Sequence, residues 1–417
     1  MNLSVATNFD PRLLDLIKDY QVKEIYGSLS KGDLGSALPA IFLPLVTKDT
    51  IEKSVIEAHK RDIEFNYILN TQCSKNMEYQ RRGFKKIISL LEWISSIKID
   101  TITVSLPFLI DIVQNNFPEL KTKVSVLNRV NTLQKAKFYE YMGVDAITID
   151  VDQNRNFKLL KLLSDNLDVE LSLLLNNLCL WNCPYASYHA TTASHTSQSG
   201  RYDNYCEFNC RLIKSKDLSQ MIKSRWIRPE DIPLYEEIGV HDFKIGGRTQ
   251  SINFLVRAVR AYSTNHYDGN LYKILNTSQK ANYKDKSRSK IKEYIYQFGK
   301  KNILNLPIHL LKVIFLFLSY LSNQKLNKIA RMLAFMSPEL VRTNLKIFLD
   351  QSIPYIDNRK LDGFLDYFKK RNCSLMNCEE CKYCEQYAKY AINYSEKERK
   401  KIALYLNRNL EILNNRG

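Results

Sequence analysis

TITVSLPFLIDIVQNNFPELKTKVSVLNRVNTLQKAKFYEYMGVDAITID, residues 101–150, is the stretch that decides the fold. It holds three short runs: TITVSLP (101–107), KVSVLNR (123–129) and AITID (146–150). Each is rich in β-branched or other apolar residues and is closed by a polar break, the pattern of a strand. Between the last two, NTLQKAKFYEYMG (131–143) has a helical pattern and ends on Gly143, a natural residue for the position just past a helix.

The same rhythm extends both ways. Upstream lie LSVAT (3–7), EIYGS (24–28) and EFNYILN (64–70), with the helical pattern RRGFKKIISLLEWISSI after the third. Downstream lie ELSLLLNN (170–177) and HDFKIGGR (241–248). Eight strands alternating with helices predict an α/β fold, a TIM-like (β/α)8 barrel, for which about 250 residues is typical. No phosphate-binding glycine turn follows the first strand, which argues against a doubly wound sheet. Beyond residue 270 the strand pattern stops. SQKANYKDKSRSK reads as a linker or the start of a solvated helix, and Ser395 with Glu398 has capping-box spacing ahead of a last helix. The expected division is a barrel over 1–269 and a mainly helical, cysteine-containing module over 270–417.

The formal charge of +17 is uneven. Residues 270–350 carry +11, residues 351–417 carry +4, and the first 269 residues only +2. A basic face over 270–350 suits RNA; a solvated helical face is the plainer reading. ILNLPIHLLKVIFLFLSYL (303–321) is broken by Pro307, His309 and Lys312, so a buried helix is expected there and no transmembrane span. The opening residues MNLSVATNFDPRLL lack a charged segment followed by a long apolar one, and a cytoplasmic location is expected.

In a reducing compartment, nine cysteines point to metal binding or catalysis rather than disulfides. Eight fall into two groups. Cys179, Cys183, Cys206 and Cys210 form the first, in the frame NNLCLWNCPYASYH and then YCEFNC. The first pair directly follows the seventh strand, at the face where such barrels do chemistry. The polar loop after it is expected to fold back and bring the second pair to the same centre. Four thiolates suit a [4Fe–4S] cluster or a tetrahedral zinc. The CxxxC spacing is looser than a zinc knuckle and favours the cluster. Ala186 stands where a radical-SAM loop needs its third cysteine.

The second group, Cys373, Cys378, Cys381 and Cys384, has the CxxCxxC rhythm of a ferredoxin loop with one cysteine upstream. A second [4Fe–4S] cluster is expected, with zinc as the alternative, acting as a staple or an electron relay. Cys73 reads as a buried structural thiol. Polar residues at strand ends are expected to meet in one pocket: Asn128 and Arg129, Asp150, Asn176 and Asn177, Lys244 and Arg248. The cations there suit an anionic group. His189 and His195, between the cysteine pairs, are candidate proton donors. No nucleophile–base triad can be assembled.

At these residues the chain resembles the U32 peptidase-like (collagenase-like) family. GVHDFKIGGRTQSINFLVRAVRAY (239–262) is similar to that family's stretch around its KIEGR motif, with Gly246 at the acidic position. YMGVDAITIDVDQNRNFKLLKLL (141–163) is similar to its segment ending in an Asn-Arg pair, here Asn154 and Arg155. The cysteines after strand seven are the third point, and IDNRKLDGFLDYF with its cysteines resembles the tail of a divergent subgroup. The resemblance implies a TIM-like barrel, a four-cysteine [4Fe–4S] site and roles for Lys244 and Arg248. It also implies oxygen-independent hydroxylation of an RNA base, a quinone or another small or peptide substrate, served by an electron donor. A peptidase, or a non-catalytic RNA-binding or maturation partner, are the alternatives.

Overall fold

The computed structural model describes residues 1–30, 32–44, 46–198, 204–277 and 353–415. Eight parallel strands close a barrel: β1 (Asn2–Ala6), β2 (Val22–Gly27), β3 (Glu64–Leu69), β4 (Thr101–Val104), β5 (Lys121–Val124), β6 (Ala146–Thr148), β7 (Glu170–Leu174) and β8 (Asp242–Ile245). Each pairs with its successor, and β1 closes onto β8 with Ser4 opposite Lys244. Every strand expected from the sequence is present, and helices surround the barrel as the alternation required.

Local chemistry accounts for the elements. β4 is TITV, wholly β-branched at its core. Helix Arg81–Ser96 buries Ile87, Leu91 and Ile94, one face at helical spacing. Helix Leu133–Tyr141 is capped by the Thr132 side chain, and Gly143 beyond it takes the left-handed conformation at φ +79°.

The barrel lumen is polar. Lys123 on β5 contacts Glu24 on β2 at 3.0 Å, and these strands are not neighbours, so the pair crosses the interior. Asn66 also donates to Glu24 at 3.1 Å, Ser4 donates to it, and Thr103 donates to Asn66 at 2.9 Å. The apolar residues of the same strands, such as Val5, Ile102 and Phe243, are buried as well.

Beyond the barrel, Tyr355–Ile356 pairs antiparallel with Ile392–Asn393; helix Tyr383–Ala391 leads into the second of these strands and helix Glu396–Asn414 follows it. The last helix lies along Tyr205–Lys216. Arg399 donates to the Ser215 and Lys216 carbonyls at 2.9 and 3.0 Å, satisfying oxygens at that helix end. Ser395 is the residue preceding the last helix, but its side chain makes no capping bond; only its carbonyl serves, accepting from the Arg399 amide at 3.0 Å. The expected linker at 278–290, the apolar run 303–321 and nearly all of the basic stretch 270–350 lie outside the described residues. Among the described residues no helix is long and apolar enough to cross a membrane.

Candidate metal centre at the barrel mouth

Strand β7 leads directly into the first cysteine pair. The chain then forms a helix, Ala186–Gln198, where the sequence suggested a polar loop. Tertiary contacts hold it: the Ser194 hydroxyl accepts from the Gln72 amide and the Ser197 hydroxyl from the Ser36 amide, each at 2.9 Å. Those amides follow β3 and β2, so the helix spans the mouth. Cys206 and Cys210 sit four apart on helix Tyr205–Lys216, and that spacing puts both on one face.

Cys179, Cys183, Cys206 and Cys210 all line one cavity of about 370 Å³. A water takes about 30 Å³ of liquid, so the space suits a body of several atoms. Among the described residues no three histidine, cysteine or carboxylate side chains converge on a single-ion position. Cys179 is exposed as a residue, yet desolvation at its thiol, with Cys210 beside it, pushes its pKa up to about 11. Burial and Cys183 do the same for Cys206, to about 11, and burial raises Cys183. Without a metal these thiols are protonated at neutral pH, so ligation releases protons.

Arg129 and His189 share the cavity wall. The Arg129 guanidinium is already engaged, by Asp150 at 3.1 Å and Asp152 at 2.7 Å. Asp152 in turn accepts from the Asn182 amide, inside the cysteine turn, at 3.1 Å. Burial pushes the His189 pKa down, against the pull of Glu207, so its imidazole is neutral near pH 7 and suited to accepting a proton rather than donating one. His195 is exposed at the other end of the same helix. Cys73 is half-buried rather than buried, its thiol accepting from the Lys75 amide.

Lys244 and Arg248 do not reach this wall, contrary to expectation. Lys244 shares the inward parity of the lumen residues and lies 4.0 Å over the Tyr26 ring. Arg248 donates to Ser28 Oγ at 3.0 Å and is buried beside Tyr26 and Tyr67. Asn128 and Asn176 are also turned to structural work. Asn176 donates to the Gly246 and Ile274 carbonyls and accepts from the Gly246 amide. A Cβ at Gly246 would lie 3.0 Å from Asn276 Nδ2 and 3.2 Å from Asn176 Oδ1, a tight fit for any side chain at that motif position.

The model of peptidase family U32 matches residues 45–303. The chain belongs to this family. An uncharacterized protease of Methanocaldococcus jannaschii is 26% identical over 346 residues, 82% of each chain. A solved U32 peptidase structure is similar over 59% of this chain and 92% of its own, at 18% identity and a TM-score of 0.46. The YdjI aldolase of Escherichia coli K12 is similar over 54% of this chain and 84% of its own, at 11% identity and a TM-score of 0.29.

This U32 protein brings its second cysteine group together as well. Cys373, Cys378, Cys381 and Cys384 line a small cavity of about 40 Å³ against Phe368 and Tyr383. An aromatic stack backs it: Tyr367 on Tyr383 at 4.1 Å and Tyr383 on Phe364 at 5.5 Å. Sequence reasoning did not single out Asp152, Lys214, Trp181 or Arg225. Lys214 lines the first cavity, donating to the Leu178 carbonyl. Trp181, between the first two cysteines, was the readable signal.

Proposed function

We propose that this U32 protein is an iron–sulfur enzyme that modifies its substrate at the barrel mouth, by hydroxylation without molecular oxygen. The observation carrying this reading is that four cysteines from two separate elements line one cavity on the C-terminal face, with Arg129 and His189 in its wall. Cys179, Cys183, Cys206 and Cys210 would hold a [4Fe–4S] cluster, and four thiols are the donor set such a cluster takes. When bound, the cluster supplies one-electron chemistry. Asp150 and Asp152 orient Arg129, and through the Asn182 amide Asp152 braces the cysteine turn. His189, neutral at pH 7, would accept a proton inside the cavity. The second group would hold another [4Fe–4S] cluster, with zinc as the alternative.

The substrate is an RNA base, a quinone ring or another small or peptide substrate, with an external redox partner exchanging electrons. The +11 charge of residues 270–350 favours RNA. The relatives' names favour a second reading, a peptidase. Oxygen inserted from water leaves two protons and two electrons, which the external partner must accept, so the test is anaerobic incubation of the purified protein with an electron acceptor and candidate substrates in 18O-labelled water, scored by mass spectrometry for one added labelled oxygen. Cys179→Ala is expected to lose visible cluster absorbance and product together. Product formation that survives loss of the absorbance would sink the proposal, and peptide cleavage by cluster-free protein would favour the peptidase.

A further inference from the structure

Arg155 and Arg225 are 3% and 4% exposed. The Arg155 guanidinium sits 4.8 Å over Trp226, 4.8 Å over Phe364 and 5.4 Å over Phe368. Among the described residues it donates only to the Ile222 and Trp226 carbonyls. The Arg225 guanidinium sits 4.2 Å over Trp181 and 5.6 Å over Phe368, and forms no hydrogen bond or ion pair among the described residues. The Nε of each is buried without a partner.

Among the described residues no carboxylate is dedicated to either. Asp231 is the acid near Arg155, but Arg228 holds both its oxygens, at 2.9 and 2.8 Å. Asp152 is the acid near Arg225, but Arg129 holds it at 2.7 Å. Two buried cations without anions are costly to keep out of water. Aromatic faces offset part of that cost but carry no net negative charge. An anion is missing from this balance.

The geometry indicates where it belongs. Phe368 touches both guanidiniums and also lines the cavity of Cys373, Cys378, Cys381 and Cys384. Lys223, Lys382 and Glu385 complete the charged groups of that wall, two cations to one anion. Neutral thiols do not offset this charge; a metal centre ligated by four thiolates carries net negative charge and does.

We propose that Arg155 and Arg225 are the counter-cations of an anionic metal–thiolate centre held by Cys373, Cys378, Cys381 and Cys384. Arg225 lies over the ring of Trp181, which stands between Cys179 and Cys183 in the chain, and over Phe368 of the second cavity's wall. The inference rests on the reading that the second group is a metal centre. Net charge around a cluster sets its reduction potential, so removing a cation disfavours the reduced, more negative form.

The test uses the full chain, reconstituted anaerobically with ferrous iron and sulfide, with Cys179→Ser and Cys206→Ser to silence the first group. Three quantities are followed: metal content, rate of metal loss to a chelator, and midpoint potential. Arg225→Met is expected to lose metal about tenfold to a hundredfold faster, the range for groups that support metal ligands, and to shift the potential downward. Arg225→Lys, which keeps the charge, restores most of both. The metal-free Arg225→Met chain is expected to melt no lower than its metal-free parent, because the unpaired cation is a cost there. Unchanged retention and potential in Arg225→Met, or an equal fall in melting temperature with and without metal, would overturn the inference alone. A parent chain that takes up neither iron nor zinc at the second group would overturn the metal-centre reading and the inference with it.

Discussion

Glu24 is held by three donors in the lumen, and two lysines share its charge. Burial alone would raise its pKa, but Lys123 and Lys244 outweigh that and hold it at about 2. Lys244 is the other side of the balance. Burial, aided by Lys123 and Arg248 and opposed by Glu24, pushes its pKa down to about 7, against an ordinary value of 10.5. Between those pH values the unfolded chain binds a proton that the native chain has released. Stability therefore rises with pH across that window, by up to about 1.4 kcal/mol per pH unit. Urea unfolding of wild type against Lys244→Met should show the wild type gaining on the variant from pH 7 to pH 10. A constant difference would contradict the burial of this lysine. Lys244 was legible in the sequence through its motif. Glu24 and Lys123 were not: each opens a strand candidate and reads there as a surface charge. Period-two alternation separates two faces of a strand but does not say which one a closed barrel turns inward.

At the scale of elements, all eight strands were legible because their apolar runs are short, bounded and separated by helical patterns. The helix over Ala186–Gln198 was not. ATTASHTSQ is rich in Thr and Ser, which are poor helix formers. Its helicity comes from contacts distant in sequence, through Ser194 and Ser197 to the loops after β3 and β2. Gly35 makes that docking feasible. It has φ +69°, and a Cβ there would lie 2.1 Å from Ser197 Oγ. Gly35→Ala should cost about 1–3 kcal/mol through backbone strain and loosen the helix that covers the cavity. Hydrogen exchange over residues 190–198 checks this: protection falls in the variant if the docking is as described, and stays at the wild-type level if it is not. The sequence predicts a polar loop folding back to bring the Cys206/Cys210 pair to the first pair, and much of that span is instead the helix Ala186–Gln198. Cys206 and Cys210 then share one face of helix Tyr205–Lys216.

For the molecule as a whole, the C-terminal segment is part of the site rather than an appendage. Tyr394 and Ile402 complete the wall of the first cavity. Arg228 ties the segment down, donating to the Asn358 carbonyl at 3.1 Å and to Asp362 at 2.8 Å while holding Asp231. Arg228→Leu leaves Asp231 buried and unpaired, so a loss of about 3–5 kcal/mol is expected, with faster proteolysis within 353–415. An unaltered cleavage rate would mean the segment is held elsewhere. The two cysteine groups were visible as groups in the sequence, but the contact of Arg225 with Trp181 was not, because those residues lie 44 positions apart in the chain. The central claim is the iron–sulfur centre at the barrel mouth. Iron and acid-labile sulfide counted in anaerobically purified protein test it most directly, in wild type beside Cys179→Ala. About eight irons per chain, falling to about four in the variant, is the expected result for two four-cysteine clusters. Wild type carrying zinc alone, or iron unchanged in Cys179→Ala, would contradict it.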